Sequence, residues 1–278
     1  MLVTVCACLL CSASATWAAG TRVGTLIESI ASVDFTQNGE QQAAQSTAVG
    51  FVVAERLDVA VTRQSGQVVV SPGDVDRALL FTVTNLGNGD EVIRLSLNNA
   101  VAGNDFDPVS ALPDAIYFDT DGSGDFNVGD VAYSPGTNDP DLAPDESIGV
   151  FIVNDIPDGA VDGQLGRSEL AATAATGSGT AGTVYPTQGD GGVDAVVGVT
   201  TAMATEFGDY IVDDVAIDIV KSQVVTDTDG GSAPIVGATI TYTITVAVIN
   251  SGTATAAVIS DPIPTWSTFV PGSICLLY

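Results

Sequence analysis

Histidine is absent from the chain, and only seven Lys and Arg residues stand against 34 Asp and Glu in 278 positions, a formal net charge of −27. Without an imidazole there is no histidine-based nucleophilic triad, no histidine-ligated zinc or non-haem iron, and no histidine acid–base catalysis. A surface this negative repels phosphate backbones and anionic headgroups, which argues against nucleic-acid binding and charge-driven membrane binding. Cysteine is scarce as well. Three of the four, Cys6, Cys8 and Cys11, fall in the first eleven residues, so a chain processed there keeps Cys275 alone and has no internal disulfide. No apolar run of 18 or more residues occurs, so no transmembrane span is expected. Good helix formers are sparse, and no segment keeps a 3.6-residue apolar period over three turns.

The sequence does contain a short apolar start, MLVTVCACLL, followed by small residues including Ala13-Ser14-Ala15 and Ala18-Ala19. This pattern predicts a signal peptide over 1–19 and an exported mature chain. From Val23 onward the dominant period is two, carried by β-branched residues. Leu57–Thr62, Leu79–Thr84, Val92–Leu97 and Ile240–Val246 read as short strands, bounded by Gly, Pro, Asn or Asp. The alanine-rich stretch Ala171–Ala175 reads as a strand too, because Thr interrupts it and Gly177 ends it. Alternating strands bury one face against another sheet, so the expected fold is all-β, with immunoglobulin-like antiparallel β-sandwiches in tandem.

An internal repeat supports the tandem reading. A turn, a long alternating strand and an Asn-x-Gly turn recur around Asn85 and Asn250, 165 positions apart. The expected division is a strand-rich lead-in over 20–54 that pairs with unit one, a sandwich over 55–208 with an acidic insertion at 98–146, and an incomplete module over 209–278. Residues Ile240–Val246, Asn250-Ser251-Gly252-Thr253-Ala254, Ser260-Asp261-Pro262-Ile263-Pro264 and Phe269-Val270-Pro271-Gly272-Ser273 resemble the bacterial surface conserved-repeat module, domain of unknown function number eleven. Residues Gly24–Glu28 and Phe81–Gly89 resemble, more weakly, the N-terminal region of such proteins in Gram-negative bacteria. The resemblance implies an Ig-like exported envelope protein and brings no catalytic residues. That module ordinarily continues past the Pro-Gly-Ser turn, so a product truncated at its C-terminus is expected, with a partner strand in trans as the alternative.

The motif with the clearest chemistry is Asp119-Thr120-Asp121-Gly122-Ser123-Gly124-Asp125-Phe126-Asn127-Val128-Gly129-Asp130. Counting from Asp119, side-chain oxygens fall at positions 1 (Asp119), 3 (Asp121), 5 (Ser123), 9 (Asn127) and 12 (Asp130). Gly124 stands at the sharp turn, and the Asp125 carbonyl at position 7. That is the spacing of an EF-hand-type calcium loop, which wraps hard oxygen ligands around one ion. Asp rather than Glu at position 12 predicts modest affinity. The flanks read as strand and turn, so the expected role of Ca2+ is a structural clip, the alternative being an ordinary acidic turn. Fourteen acids and no base lie between Arg94 and Arg167, which adds a repulsion that a cation would relieve.

Weaker motifs have structural explanations. Gly177–Gly182 spells GxGxxG but leads to Tyr185-Pro186 rather than to a helix. Asp227 and Asp229 read as a solvated hairpin turn with a second cation site as the alternative, and Trp266 as a packing residue with ligand binding as the alternative. The sequence predicts a non-catalytic cell-surface or secreted scaffold whose partners are other surface modules or envelope components. The alternative is a calcium-dependent adhesin that binds a glycan or protein. A carboxylate-based hydrolase is a third class, for which no particular acid pair stands out.

Overall fold

A computed structural model describes residues 20–111, 115–250, 252 and 254–276. The expected signal peptide, 1–19, with its three cysteines, lies outside the described residues. The architecture is all-β, and the only helical element among the described residues is a 3-10 turn at Asp190–Gly192. No helix among them is long and apolar enough to cross a membrane. The chain divides into two compact units between Val212 and Asp213.

In the first unit the strands are β1 (Leu26–Ser29), β2 (Ser32–Gln37), β3 (Glu40–Gln45), β4 (Val49–Val52), β5 (Glu55–Leu57) and β6 (Val59–Arg63). Then follow β7 (Val68–Val70), β8 (Arg77–Asn85), β9 (Glu91–Asn98), β10 (Val109–Ser110), β11 (Ile116–Phe118) and β12 (Val131–Ala132). The unit ends with β13 (Asp141–Leu142), β14 (Ser147–Asp155), β15 (Leu165–Ala174), β16 (Val184–Tyr185), β17 (Ala195–Val197) and β18 (Met203–Val212).

Two sheets form a sandwich. One runs β12-β11-β14-β8-β6, with β10 also on β14; the other runs β13-β9-β15-β18-β7. The reason is visible residue by residue. Leu79, Phe81 and Val83 of β8 are buried at alternate positions, and Leu170, Ala172 and Ala174 of β15 repeat the pattern from the facing sheet. Ala171–Ala174 thus form strand, as the Thr-interrupted alanine run predicts. Pairing is antiparallel except for β5–β17 and β7–β18, two three-residue parallel contacts that long connections make available. A polar network crosses between the sheets. Asn154 of β14 donates to Ser168 Oγ (2.9 Å) and Tyr210 Oη (3.2 Å), and Tyr210 Oη donates to the Arg77 carbonyl (2.9 Å). Asn154, Ser168 and Tyr210 are fully buried, so these bonds remove the cost of unsatisfied polar groups inside the core.

The lead-in, 20–54, pairs within itself, β1 with β4 and β2 with β3, and these four strands are exposed along their whole length. Asn88 holds its two ends. The amide nitrogen donates to the carbonyls of Thr21 and Ala54 (both 3.0 Å), while the Asn88 carbonyl accepts from Val23 N (3.1 Å). Asn88→Ala is expected to cost about 1–3 kcal/mol, since it strips partners from groups that are half-buried. Limited proteolysis should then cut residues 20–54 faster than in the wild type, with the sandwich core equally resistant in both.

In the second unit, β19 (Ile217–Thr226) and β20 (Thr239–Val248) form a ten-residue antiparallel hairpin, the only strand pair among its described residues. Ile217, Ile219, Ile244, Val246 and Val248 share one face of it by register, with Lys221 lying 4.2 Å over the Tyr242 ring and pairing with Asp261 at 2.6 Å.

Candidate metal centre

The 119–130 loop connects β11 to β12 at the end of the first sheet. Its first residue is fixed by the ladder itself, because Asp119 N–H donates to the Gly149 carbonyl of β14 at 3.0 Å, one step beyond the β11–β14 register. Its middle is fixed by an aromatic contact. Phe126 turns back onto the outer face of the sheet, 4.9 Å from the Tyr117 ring and 5.9 Å from the Phe151 ring, both edge-on. Here β14 is buried on both faces: Val150 and Ile152 enter the main core, and Phe151 and Val153 form a second cluster with Ala111.

Between these anchors the chain curls around its own oxygens. Gly122 and Gly124 take φ of 67° and 74°, the left-handed region where a side chain is strained. Ser123 N–H donates to Asp119 Oδ1 (3.1 Å) and Asp121 Oδ1 (2.9 Å), and Gly124 N–H donates to Asp119 Oδ2 (3.0 Å). The Asp125 carbonyl accepts from Ser123 Oγ (3.0 Å) and from the Asn127 amide (3.0 Å), so it points inward as position 7 requires. Asp130 closes the loop by accepting from Thr120 N–H (3.4 Å) and Asn127 N–H (2.8 Å).

Asp119, Asp121 and Asp130 each offer a carboxylate oxygen, and these three lie within 4.8 Å of one another. An ion bound at 2.3–2.6 Å from each oxygen needs them no more than about 5 Å apart, so the spacing fits calcium. The hydrogen bonds of Ser123, its hydroxyl first and then its N–H, hold the Asp121 carboxyl below the usual carboxylate range, which keeps it ionised. Asn127 is turned otherwise. Its Oδ1 accepts from Gly129 N–H (2.7 Å), and its amide NH2 points at Asp121 Oδ2 (3.2 Å) and Ser123 Oγ (3.3 Å), standing where a cation would. The structure therefore brings together Asp119, Asp121, Ser123, the Asp125 carbonyl and Asp130, with Asn127 presenting donors.

The other motifs are settled by their surroundings. Gly177 lies under the Tyr185 ring, whose hydroxyl donates to the Ser178 carbonyl (2.6 Å), so the glycine-rich stretch folds onto β16 and opens no helix. Asp227 accepts from the N–H groups of Gly231, Asp229 and Ala233, Gly231's being the strongest influence, which holds its carboxyl low and closes a turn. Trp266, expected to pack, is fully exposed and stands at φ 70° in the turn closed by Ser267 N–H on the Pro264 carbonyl.

Three buried acids escaped the sequence reading, and one of them, Asp58, is 3% exposed and pairs with Arg56 at 3.1 Å. The other two, Glu55 and Glu91, are 2% and 4% exposed. Their signal was parity: Glu55 shares the inward phase of Leu57, Val59 and Val61, and Glu91 that of Ile93 and Leu95. No family model matches the chain, and no curated protein matches it.

Proposed function

We propose that this is a non-catalytic, exported structural protein of the cell surface or extracellular space, in which a calcium ion clips the 119–130 loop to an Ig-like sandwich. The observation that carries the reading is the convergence of Asp119, Asp121 and Asp130 on one point, in a loop pinned at Gly149 and Phe126. The apolar start of the chain supports export, as does the resemblance to envelope repeat modules, and modest affinity suffices where calcium is millimolar. Absence of histidine, with no acid pair singled out by the sequence, supports a scaffold rather than an enzyme. The calcium-dependent adhesin is the second reading, favoured by the exposure of the loop: Val128 stands fully in solvent at its tip.

Calcium that binds only the folded chain at a hundred times its dissociation constant adds about 2.7 kcal/mol. For a unit of this size that is a rise of roughly 5–10 °C in Tm. Thermal melts in EDTA and in excess calcium should differ by this amount in the wild type and coincide when Asp119 and Asp121 are both replaced by Ala. Coincident wild-type melts would remove the clip. A glycan or cell-binding array run with and without calcium separates scaffold from adhesin.

A further inference from the structure

Glu55 and Glu91 lie far along the chain from the calcium loop and serve nothing described so far. Each ties a different segment to the sandwich. Glu55 Oε2 accepts from Asp190 N–H at 2.9 Å, and Asp190 Oδ2 accepts in turn from Asp90 N–H at 2.9 Å, so the turn at Asp190–Gly192 is held by its backbone and its side chain. Glu91 Oε1 accepts from Thr176 N–H at 2.9 Å, which fixes the chain just after β15. Glu91 Oε2 is buried and has no hydrogen-bond partner.

A buried carboxylate oxygen without a partner is costly when ionised, and a proton removes the charge that makes it so. The groups around the pair make ionisation harder still. Glu55 faces Glu91, Asp190 and Asp90, and Glu91 faces Asp190. From β13, which pairs with β9, Asp141 lines an open cleft with Asp90 and Asp190, and Asp194 accepts from Thr187 N–H in the same connection. Arg56, next to Glu55 in the chain, pairs with Asp58 at 3.1 Å, and Arg22 pairs with Asp90, next to Glu91, at 3.0 Å. There is no room for another side chain, since a Cβ on Gly89 or Gly189 would come within 2.8 Å of a Glu55 carboxylate oxygen. Among the described residues the only acidic trio within coordinating distance is Asp119, Asp121 and Asp130, so the pair is no part of a three-carboxylate cluster.

We infer that Glu55 and Glu91 form a proton-operated latch, which when protonated holds the Asp190 turn against β5 and the chain at Thr176 against β9, and loosens both when the carboxyls ionise. Burial, opposed by the Asp190 N–H and reinforced by Glu91, Asp190 and Asp90, lifts Glu55 from 4.5 to about 7, and burial lifts Glu91 as well. The sign follows from the raised folded-state value. The latch is complete below about pH 4.5, weakens as pH rises, and is spent above about 7, by close to tenfold in the closing equilibrium per pH unit between. A segment that stays closed in an acidic setting and opens at neutral pH gives an exported protein a response to its surroundings.

Hydrogen exchange tests this, with every arm in EDTA so that the calcium loop adds no proton linkage. After correction for intrinsic rates, protection of the Asp190 amide in the wild type should fall at least tenfold from pH 5 to pH 8 and that of the Thr176 amide should fall as well, while amides of β8 and β14 change little. Glu55→Gln keeps a carbonyl to accept from Asp190 and cannot ionise, so its protection should stay level across that range. Equal pH profiles in wild type and E55Q would overturn the latch. Carboxyl-labelled glutamate NMR of the wild type gives an answer that needs no variant: a glutamate titrating near neutrality supports the latch, and all glutamates titrating at ordinary carboxylate values overturn it.

Discussion

Phe81→Ala is expected to destabilise the first unit by about 3–5 kcal/mol, and so to lower its Tm by roughly 6–20 °C. Phe81 sits at the centre of β8, the strand flanked by β14 and β6, opposite Val150 on one side and Arg63 on the other. It is fully buried and belongs to the core cluster drawn from both sheets. Truncation therefore removes most of an aromatic side chain from a site whose walls are two hydrogen-bonded sheets. Such walls collapse poorly, and the cavity term adds to the lost transfer energy. Phe81→Leu should cost markedly less, because it keeps most of the volume. Leu80→Ala, one residue away and facing the smaller outer cluster, should fall between the two. Urea unfolding followed by tryptophan-independent circular dichroism measures all three. A loss below about 1 kcal/mol for Phe81→Ala would mean that the two sheets do not enclose it.

That same alternation explains how much of the fold could be read in advance. Leu79, Phe81 and Val83 announce an inward face two residues at a time, and the turns around Asn85 mark where the strand stops; Asn85 itself donates to the carbonyls of Gly89 and Leu142 at 2.8 Å, a reason for asparagine there. Strand order was not legible. Nothing local tells β8 that its neighbours are β14 and β6, since those pairings are decided by which faces remain unburied once the chain has folded. The two parallel contacts were hidden for the same reason. In the 119–130 loop, the spacing of Asp119, Asp121 and Asp130 marked the oxygens that converge, but the orientation of the Asn127 amide depends on Gly129 and had no signature in the spacing. The unbroken run Val150-Phe151-Ile152-Val153 is the sequence's only hint that β14 is covered on both faces, and hence that Phe126 has a surface to dock on.

Gly149→Ala carries that dependence into a measurement. A Cβ at Gly149 would stand 2.9 Å from the Asp119 Cβ and 3.3 Å from its Oδ2. Real Cβ atoms do not approach so closely, so Asp119 must shift, and the backbone bond from Asp119 N to the Gly149 carbonyl limits how far the strand can follow. The metal-free protein should lose about 1–3 kcal/mol, as overpacked sites do. The larger effect falls on calcium. Asp119 is the carboxylate whose two oxygens are oriented by Ser123 and Gly124, so displacing it misaligns the first of the proposed ligands. Affinity for calcium should drop at least tenfold, which removes about 1.4 kcal/mol of the ion's stabilisation. Calorimetric titration with calcium measures the affinity, and melts in EDTA measure the packing cost separately. A variant with the wild-type calcium affinity but lowered metal-free stability would show that Asp119 packs against β14 without ligating. A variant unchanged in both would show that the β11–β14 ladder does not place the loop at all.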